Sequence, residues 1–157
     1  MRTHPIADAL VSCSLLFCAG AHAQVAASTS PPIEYLHAEG QHAPTAPFSP
    51  GVKVGNLLFV SGIPAFDKDG KLAVNDFTAQ MNQVMDNITG ILKAAGVGWD
   101  RVVKVNVYLT RREDFKEMNR IYAAHFQAGK YPARTTAITL LPNPDFLLEI
   151  ECVAALP

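Results

Sequence analysis

This chain has little cysteine, little charge of either sign and no long apolar run, and each shortage removes a class of protein. Its 157 residues include three cysteines, Cys13, Cys18 and Cys152. A disulfide scaffold would need more. Neither the cysteines nor His37, His42 and His125 fall at zinc-ligand spacing, so no bound metal is expected. The 13 Lys and Arg balance 14 Asp and Glu to a net charge of -1, which excludes a polycation that coats nucleic acid or an anionic membrane. There is no glycine-rich phosphate loop, no basic aromatic stripe and no low-complexity tract, so nucleotide and nucleic-acid motifs are missing. The apolar stretch from Ala9 to Gly20 falls short of the ~20 residues that span a bilayer. What is present is a globular composition, 49% hydrophobic and 17% charged. A chain of this length forms one domain and buries roughly two thirds of its unfolded surface without a covalent staple.

The Ala9 to Gly20 stretch reads as the core of an export signal over residues 1–23. Arg2 and the free amino terminus supply the positive n-region, and Ala21-His22-Ala23 fits the small-x-small cleavage rule; Asp8 is the feature out of pattern. Cleavage after Ala23 is expected, leaving a periplasmic or secreted chain from Gln24 with no membrane attachment. A lipoprotein cysteine at Cys13 would leave hardly any hydrophobic segment ahead of it. Residues 24–43 are rich in Ala, Ser, Pro and His and read as a linker and amino-terminal segment, in which Ile33 to Leu36 leads to a first strand. The folded domain is expected over residues 44–157.

Gly51 to Val54 and Leu57 to Ser61 read as a hairpin, with Gly55 and Asn56 accepting the positive φ that tight two-residue turns require. Asp67-Lys68-Asp69-Gly70 is a further turn. Asp76 is placed to cap a helix whose apolar residues Phe77, Met81, Val84, Met85, Ile88, Ile91, Leu92 and Ala95 recur every three or four positions up to Gly96. Gly90 inside that helix predicts close packing against a sheet or another backbone, because it costs about 1 kcal/mol relative to Ala. Val103, Val105, Val107 and Leu109 alternate with polar residues and predict a strand with one buried face. Thr110 and Glu113 read as a capping box opening a second helix. Its inner stripe is Phe115, Met118, Tyr122 and Phe126, with Asn119 inside it. A buried amide needs partners, and Asn119 either satisfies a nearby loop backbone or lines a site.

Arg134 to Leu141 and Phe146 to Ala154, joined by the turn Pro142-Asn143-Pro144-Asp145, read as two strands in hairpin order. In the last strand Leu148, Ile150 and Cys152 share one face while Glu149, Glu151 and Val153 share the other. Cys152 is thus expected as a small buried hydrophobe rather than a reactive thiol. If the helices cover the first face, two carboxylates lie on a face that is either a solvated surface or covered by another subunit.

These motifs, taken in order, resemble the RidA/YjgF family over roughly residues 44–155. The resemblance rests on Ala46-Pro47-Phe48-Ser49-Pro50-Gly51, Gly55-Asn56 through Ser61-Gly62, Gln80 to Asn87, Asp114-Phe115 with Asn119 and Tyr122, Tyr131-Pro132-Ala133-Arg134, and Leu148-Glu149-Ile150-Glu151. It implies an α+β, RidA-like (chorismate-mutase-like) fold, a mixed sheet with both helices on one face, whose subunits form a homotrimeric barrel with clefts between neighbours. It also implies hydrolytic deamination, without a cofactor, of reactive enamines and imines such as 2-aminoacrylate to a keto acid and ammonia. By position Arg134 matches the carboxylate-binding arginine and Glu149 the acidic residue beside the attacking water, while Phe48, Ser61, Asn119 and Thr136 match residues lining the cleft. Arginine's rigid fork suits a small carboxylate, and a structural interchain ion pair is the alternative role for Arg134 with Glu149. The chain departs from the pattern in three places. Phe48 stands where many deaminating members have Tyr, Ser61-Gly62-Ile63-Pro64 lacks a glutamine common after Ser-Gly, and Thr136 replaces a frequent Cys. The opening motif and Ala65-Phe66-Asp67 look like the RutC branch. A small-carboxylate binding protein without turnover is the competing expectation, and a ribonuclease or chaperone-like activity is disfavoured by the near-neutral charge.

Overall fold

The computed structural model describes residues 30–157; the export segment expected over residues 1–23 lies outside the described residues. The strands are β1 (Ile33–Leu36), β2 (Gly51–Val54), β3 (Leu57–Ile63), β4 (Val102–Leu109), β5 (Ala133–Ile138) and β6 (Leu148–Ala155), with α1 (Phe77–Ala94) and α2 (Phe115–Ala123) between them. They form one mixed sheet in the order β1-β2-β3-β6-β4-β5. β4 and β5 pair in parallel and the remaining neighbours are antiparallel.

β2 and β3 make the expected hairpin, with Val54 opposite Leu57. Within the turn only Gly55 takes a positive φ, +55°. Asp76 caps α1 by accepting a hydrogen bond from the Ala79 N–H at 2.9 Å. The helix closes as its periodicity predicts: Gly96 has φ +79°, and the Val97 N–H reaches back to Leu92 O at 3.0 Å, the bonding of a Schellman stop. The apolar stripe from Phe77 to Leu92 is buried against the sheet. Gly90 faces elsewhere. A Cβ there would overlap the Gln41 side-chain amide, so the glycine admits the segment that precedes β2.

Four local expectations are corrected. Thr110 and Glu113 do not form a capping box; the Thr110 hydroxyl donates to Leu147 O at 3.2 Å, and a single 3-10 turn, Arg112–Asp114, precedes α2. The buried stripe of α2 is Met118, Ile121 and Tyr122. Phe115 is 44% exposed, and Phe126 lies past the helix end, its ring 4.8 Å from that of Tyr122. Val103 also points outward, because a register irregularity between Val102 and Lys104 against β6 shifts the alternation by one. Finally, β5 and β6 are not a hairpin. Helix α2 carries the chain across so that β5 runs parallel to β4, while β6, whose Leu148, Ile150, Cys152 and Ala154 are all buried, inserts between β3 and β4. A strand with so regular a buried face belongs in the middle of the sheet rather than at its edge.

Leu58, Val60, Val105, Val107, Leu109, Leu148, Ile150 and Cys152 therefore meet the helices in one core. Burial pushes the Cys152 thiol up to about 12, in keeping with its reading as a packed hydrophobe. The opposite face is open. Across it run Tyr35, Val52, Phe59 and Val153 on one side, then Asn106, Tyr108, Glu149 and Glu151.

Candidate functional site

Pairing register decides which chemistry shares a face. Glu149 lies directly opposite Tyr108 and Glu151 opposite Asn106, so both carboxylates project from the open face, as expected, but into different surroundings. Glu151 Oε1 accepts hydrogen bonds from Asn106 Nδ2 at 2.5 Å and from the Tyr108 hydroxyl at 3.1 Å. Burial, reinforced by Glu151, holds the Tyr108 proton on. Among the described residues no donor reaches Glu149. Burial pushes its pKa above the ordinary 4.5, because desolvation penalises the ionised form. Of two carboxylates two residues apart, one accepts two hydrogen bonds and the other has no donor among the described residues.

Glu149 borders a cavity of about 610 Å³ shared with Phe48, Ser61, Gly62 and Tyr108. A Cβ on Gly62 would stand 3.1 Å from Glu149 Oε2, so only glycine lets the β3 backbone approach the carboxylate this closely. Ser61 is less free than its position suggests. Its hydroxyl donates to Ser49 O at 2.7 Å, which leaves only oxygen lone pairs for a ligand.

Arg134 lies elsewhere. It pairs in register with Val105, and Thr136 with Val107, both core-face residues, so Arg134 and Thr136 project to the helix side at the β5 edge. Arg134 Nη2 donates to Asn119 Oδ1 at 2.7 Å, and its guanidinium carbon stands 4.7 Å from the centre of the Tyr122 ring. Asn119 thus serves the arginine rather than a loop backbone. Burial pushes Tyr122 up to about 12. These residues and Tyr131 line a second cavity, of about 420 Å³. Among the described residues no carboxylate pairs with Arg134. The Thr136 hydroxyl is buried with no hydrogen-bond partner.

The six residues singled out in the sequence therefore form two groups on opposite faces of one sheet: Phe48, Ser61 and Glu149, and Asn119, Arg134 and Thr136. Sequence reasoning missed Tyr108 and the close approach of Gly62. It also missed Gln80, buried on α1, whose Nε2 donates to Ala73 O and Asp145 O at 3.0 and 2.9 Å while its Oε1 accepts from Leu147 N–H at 2.9 Å. Tyr108 was visible only as a polar position in the alternation, and Gln80 only as a polar residue in an apolar stripe, a signal the periodicity itself carries.

By class, this is a small α+β domain with helices on one sheet face and its isolated carboxylate on the other. A family model described as "Endoribonuclease L-PSP" matches residues 40–156. A RutC family protein of Pyrococcus horikoshii is 42% identical over 123 residues, covering 77% of this chain and 96% of that protein. Reactive Intermediate Deaminase A of Arabidopsis thaliana, a chloroplastic protein, is 38% identical over 125 residues, 78% of this chain and 66% of that one. Among solved structures, RidA from the Antarctic bacterium Psychrobacter superposes with a TM-score of 0.72 at 34% identity over 78% of this chain and 99% of that chain. The YjgF product of E. coli gives 0.71 at 31%, over 78% and 98%. The chain belongs to the RidA/YjgF family.

Proposed function

We propose that this protein is an enamine/imine deaminase, a hydrolase of C–N bonds that converts small 2-enamino or 2-imino acids to keto acids and ammonia. The observation that carries the reading is the presence, on strands of one sheet, of a half-buried arginine with no carboxylate partner and a desolvated Glu149 with no donor among the described residues. Family membership and the name of the Arabidopsis relative support it. Because the two groups project from opposite faces, a common site requires two copies: Arg134 at the β5 edge of one subunit and Glu149 on the open face of the next. Ile33 at 58%, Tyr35 at 66% and Phe59 at 44% exposure make part of that open face apolar, which supports its coverage in a homotrimer.

In this reading Arg134 holds the substrate carboxylate through its fork, with Asn119 and the Tyr122 ring fixing the guanidinium. An enamine first takes a proton from solvent at C3 and becomes the iminium, the protonated form in which an imine substrate also reacts. Water then bonds to C2, giving its proton to Glu149 while the C=N pair moves onto nitrogen. Glu149 returns the proton to the amine, the C–N bond breaks, ammonia leaves, and the remaining hydroxyl loses its proton as the carbonyl forms. Nothing is oxidised or reduced. A carboxyl raised toward neutrality exchanges protons in both directions, so no side-chain nucleophile or cofactor is called on. Tyr108, held by Glu151, supplies polar lining where Phe48 offers no hydroxyl. We further propose export, with cleavage after Ala23; amino-terminal sequencing of the native protein should begin at Gln24, and recovery of intact Met1 would contradict it.

The test is ammonia release from freshly generated 2-aminoacrylate by the purified protein. Acceleration is expected, with Arg134→Lys lowering kcat/KM about a hundredfold because the charge stays but the fork is lost. Keto-acid binding with no acceleration would favour a carboxylate-binding protein without turnover. The ribonuclease suggested by the family model's description predicts RNA cleavage, for which the chain offers no basic stripe.

A further inference from the structure

One side of the cavity beside Glu149 is a wall of rings. The Phe66 ring lies 5.6 Å from that of His42 and 5.4 Å, edge on, from that of Phe146. All three border the same cavity as Glu149. They come from three separate loops: the one before β2, the one after β3 and the one before β6.

Helix α1 pins each loop. Asn87 Nδ2 donates to Pro64 O at 3.1 Å and to Phe66 O at 2.9 Å. The Asn87 carbonyl accepts from Gln41 Nε2 at 2.7 Å, next to His42. Gln80 grips the chain on either side of Phe146, at Asp145 O and Leu147 N–H. The His42 ring is seated on Gly70, where a Cβ would stand 2.9 Å from its Cε1. Three buried or half-buried amides spent on aligning three rings make a preorganised surface, and all of it belongs to one subunit, so it persists however the open face is covered.

We propose that this wall is the side-chain subsite of the enzyme and that it selects 2-imino acids bearing an aryl ring on C3 over the unsubstituted three-carbon substrate. The inference rests on the deaminase reading above. With the reacting C2 at Glu149 and the carboxylate held by the neighbour's arginine, the C3 substituent is the part of the substrate left to meet the wall. A fourth ring there joins rings already meeting in the tilted and edge-to-face arrangements that aromatic groups prefer. A methyl group would leave the faces of these rings to water. Pocket contacts of this kind discriminate by about ten- to a hundredfold.

The experiment compares 2-imino-3-phenylpropanoate with 2-iminopropanoate, each released in situ by an amino-acid oxidase and followed by competition with semicarbazide trapping. Calorimetry of the full-length protein with phenylpyruvate and with pyruvate supplies a readout independent of turnover. The wild type should favour the phenyl substrate by at least about tenfold in kcat/KM, mainly through KM, and bind phenylpyruvate more tightly by a similar factor. Phe66→Ala should bring both ratios close to one. His42→Ala, at an exposed position outside the buried core, should lower them in the same direction. Equal ratios in the wild type, or ratios that neither variant changes, would overturn the proposal. If neither imine is hydrolysed faster than in buffer, the deaminase reading fails, and the keto-acid binding ratio alone decides whether the wall selects aryl groups.

Discussion

Gly62 and Glu149 show how narrowly the open-face site is set. A methyl group on Gly62 would press on the far end of a flexible side chain at 3.1 Å, so Glu149 can yield by a few tenths of an ångström and the fold loses little. Rate is more sensitive to position than stability is. Gly62→Ala should therefore lower kcat about tenfold with an unchanged melting temperature; a fall in melting temperature with kcat intact would contradict this placement. Burial raises Glu149 above 4.5, which has two consequences of definite sign. In the proposed mechanism Glu149 takes the proton from water and works ionised, so the acid limb of the kcat/KM profile should have its midpoint above 4.5 and should disappear in Glu149→Gln. The folded chain also binds that proton more tightly than the unfolded one. Its contribution to stability is thus present at low pH and lost as pH rises through the unfolded value toward the folded one. Glu149→Gln should accordingly raise the melting temperature at pH 8 relative to wild type by more than at pH 4. An acid limb at or below 4.5 in the wild type would remove the desolvated base.

Helix α1 both roofs the core and holds the loops that frame the cavity, and Gln80 is where the two tasks meet. Gln80→Leu keeps the volume but removes the partners of Ala73 O, Asp145 O and the Leu147 N–H, and should cost about 3 kcal/mol in urea unfolding; a loss within error would show that water replaces the amide without penalty. What the sequence disclosed follows from the same distinction between local and distant causes. α1 was legible because Asp76, the apolar stripe and Gly96 all lie within its own span. The β2–β3 hairpin was legible for the same reason. α2 was read one face askew, since Thr110 satisfies Leu147 O, 37 residues away, and Arg111 takes Asp114 as a bidentate partner instead. The neighbours of β5 and β6 were not legible from local turn residues, because a crossover helix and the regular burial of β6 outweigh the turn between them. Arg134 and Glu149 were found through motif order, but their separation onto opposite faces appears only with the register of β4 against both β5 and β6.

For the whole molecule that separation is the decisive fact. Among the described residues one subunit offers a carboxylate without a donor on its open face and, behind the sheet at the β5 edge, an arginine without a carboxylate. In the proposed mechanism only a neighbour can bring them together, so the proposed assembly and chemistry stand or fall jointly. Light scattering of the wild type should report three chains. The most direct measurement mixes two crippled variants, Arg134→Lys and Glu149→Gln, dissociates them and lets them reassemble together. Clefts that draw the arginine from one subunit and the glutamate from the next then regain both intact groups in about one case in four for random trimers. The account predicts ammonia release from 2-aminoacrylate at about a quarter of the wild-type rate from an equimolar mixture of nearly inactive parents. A mixture that forms trimers yet stays at the parents' rate would contradict it, because the two residues would then act within one chain or not act together at all.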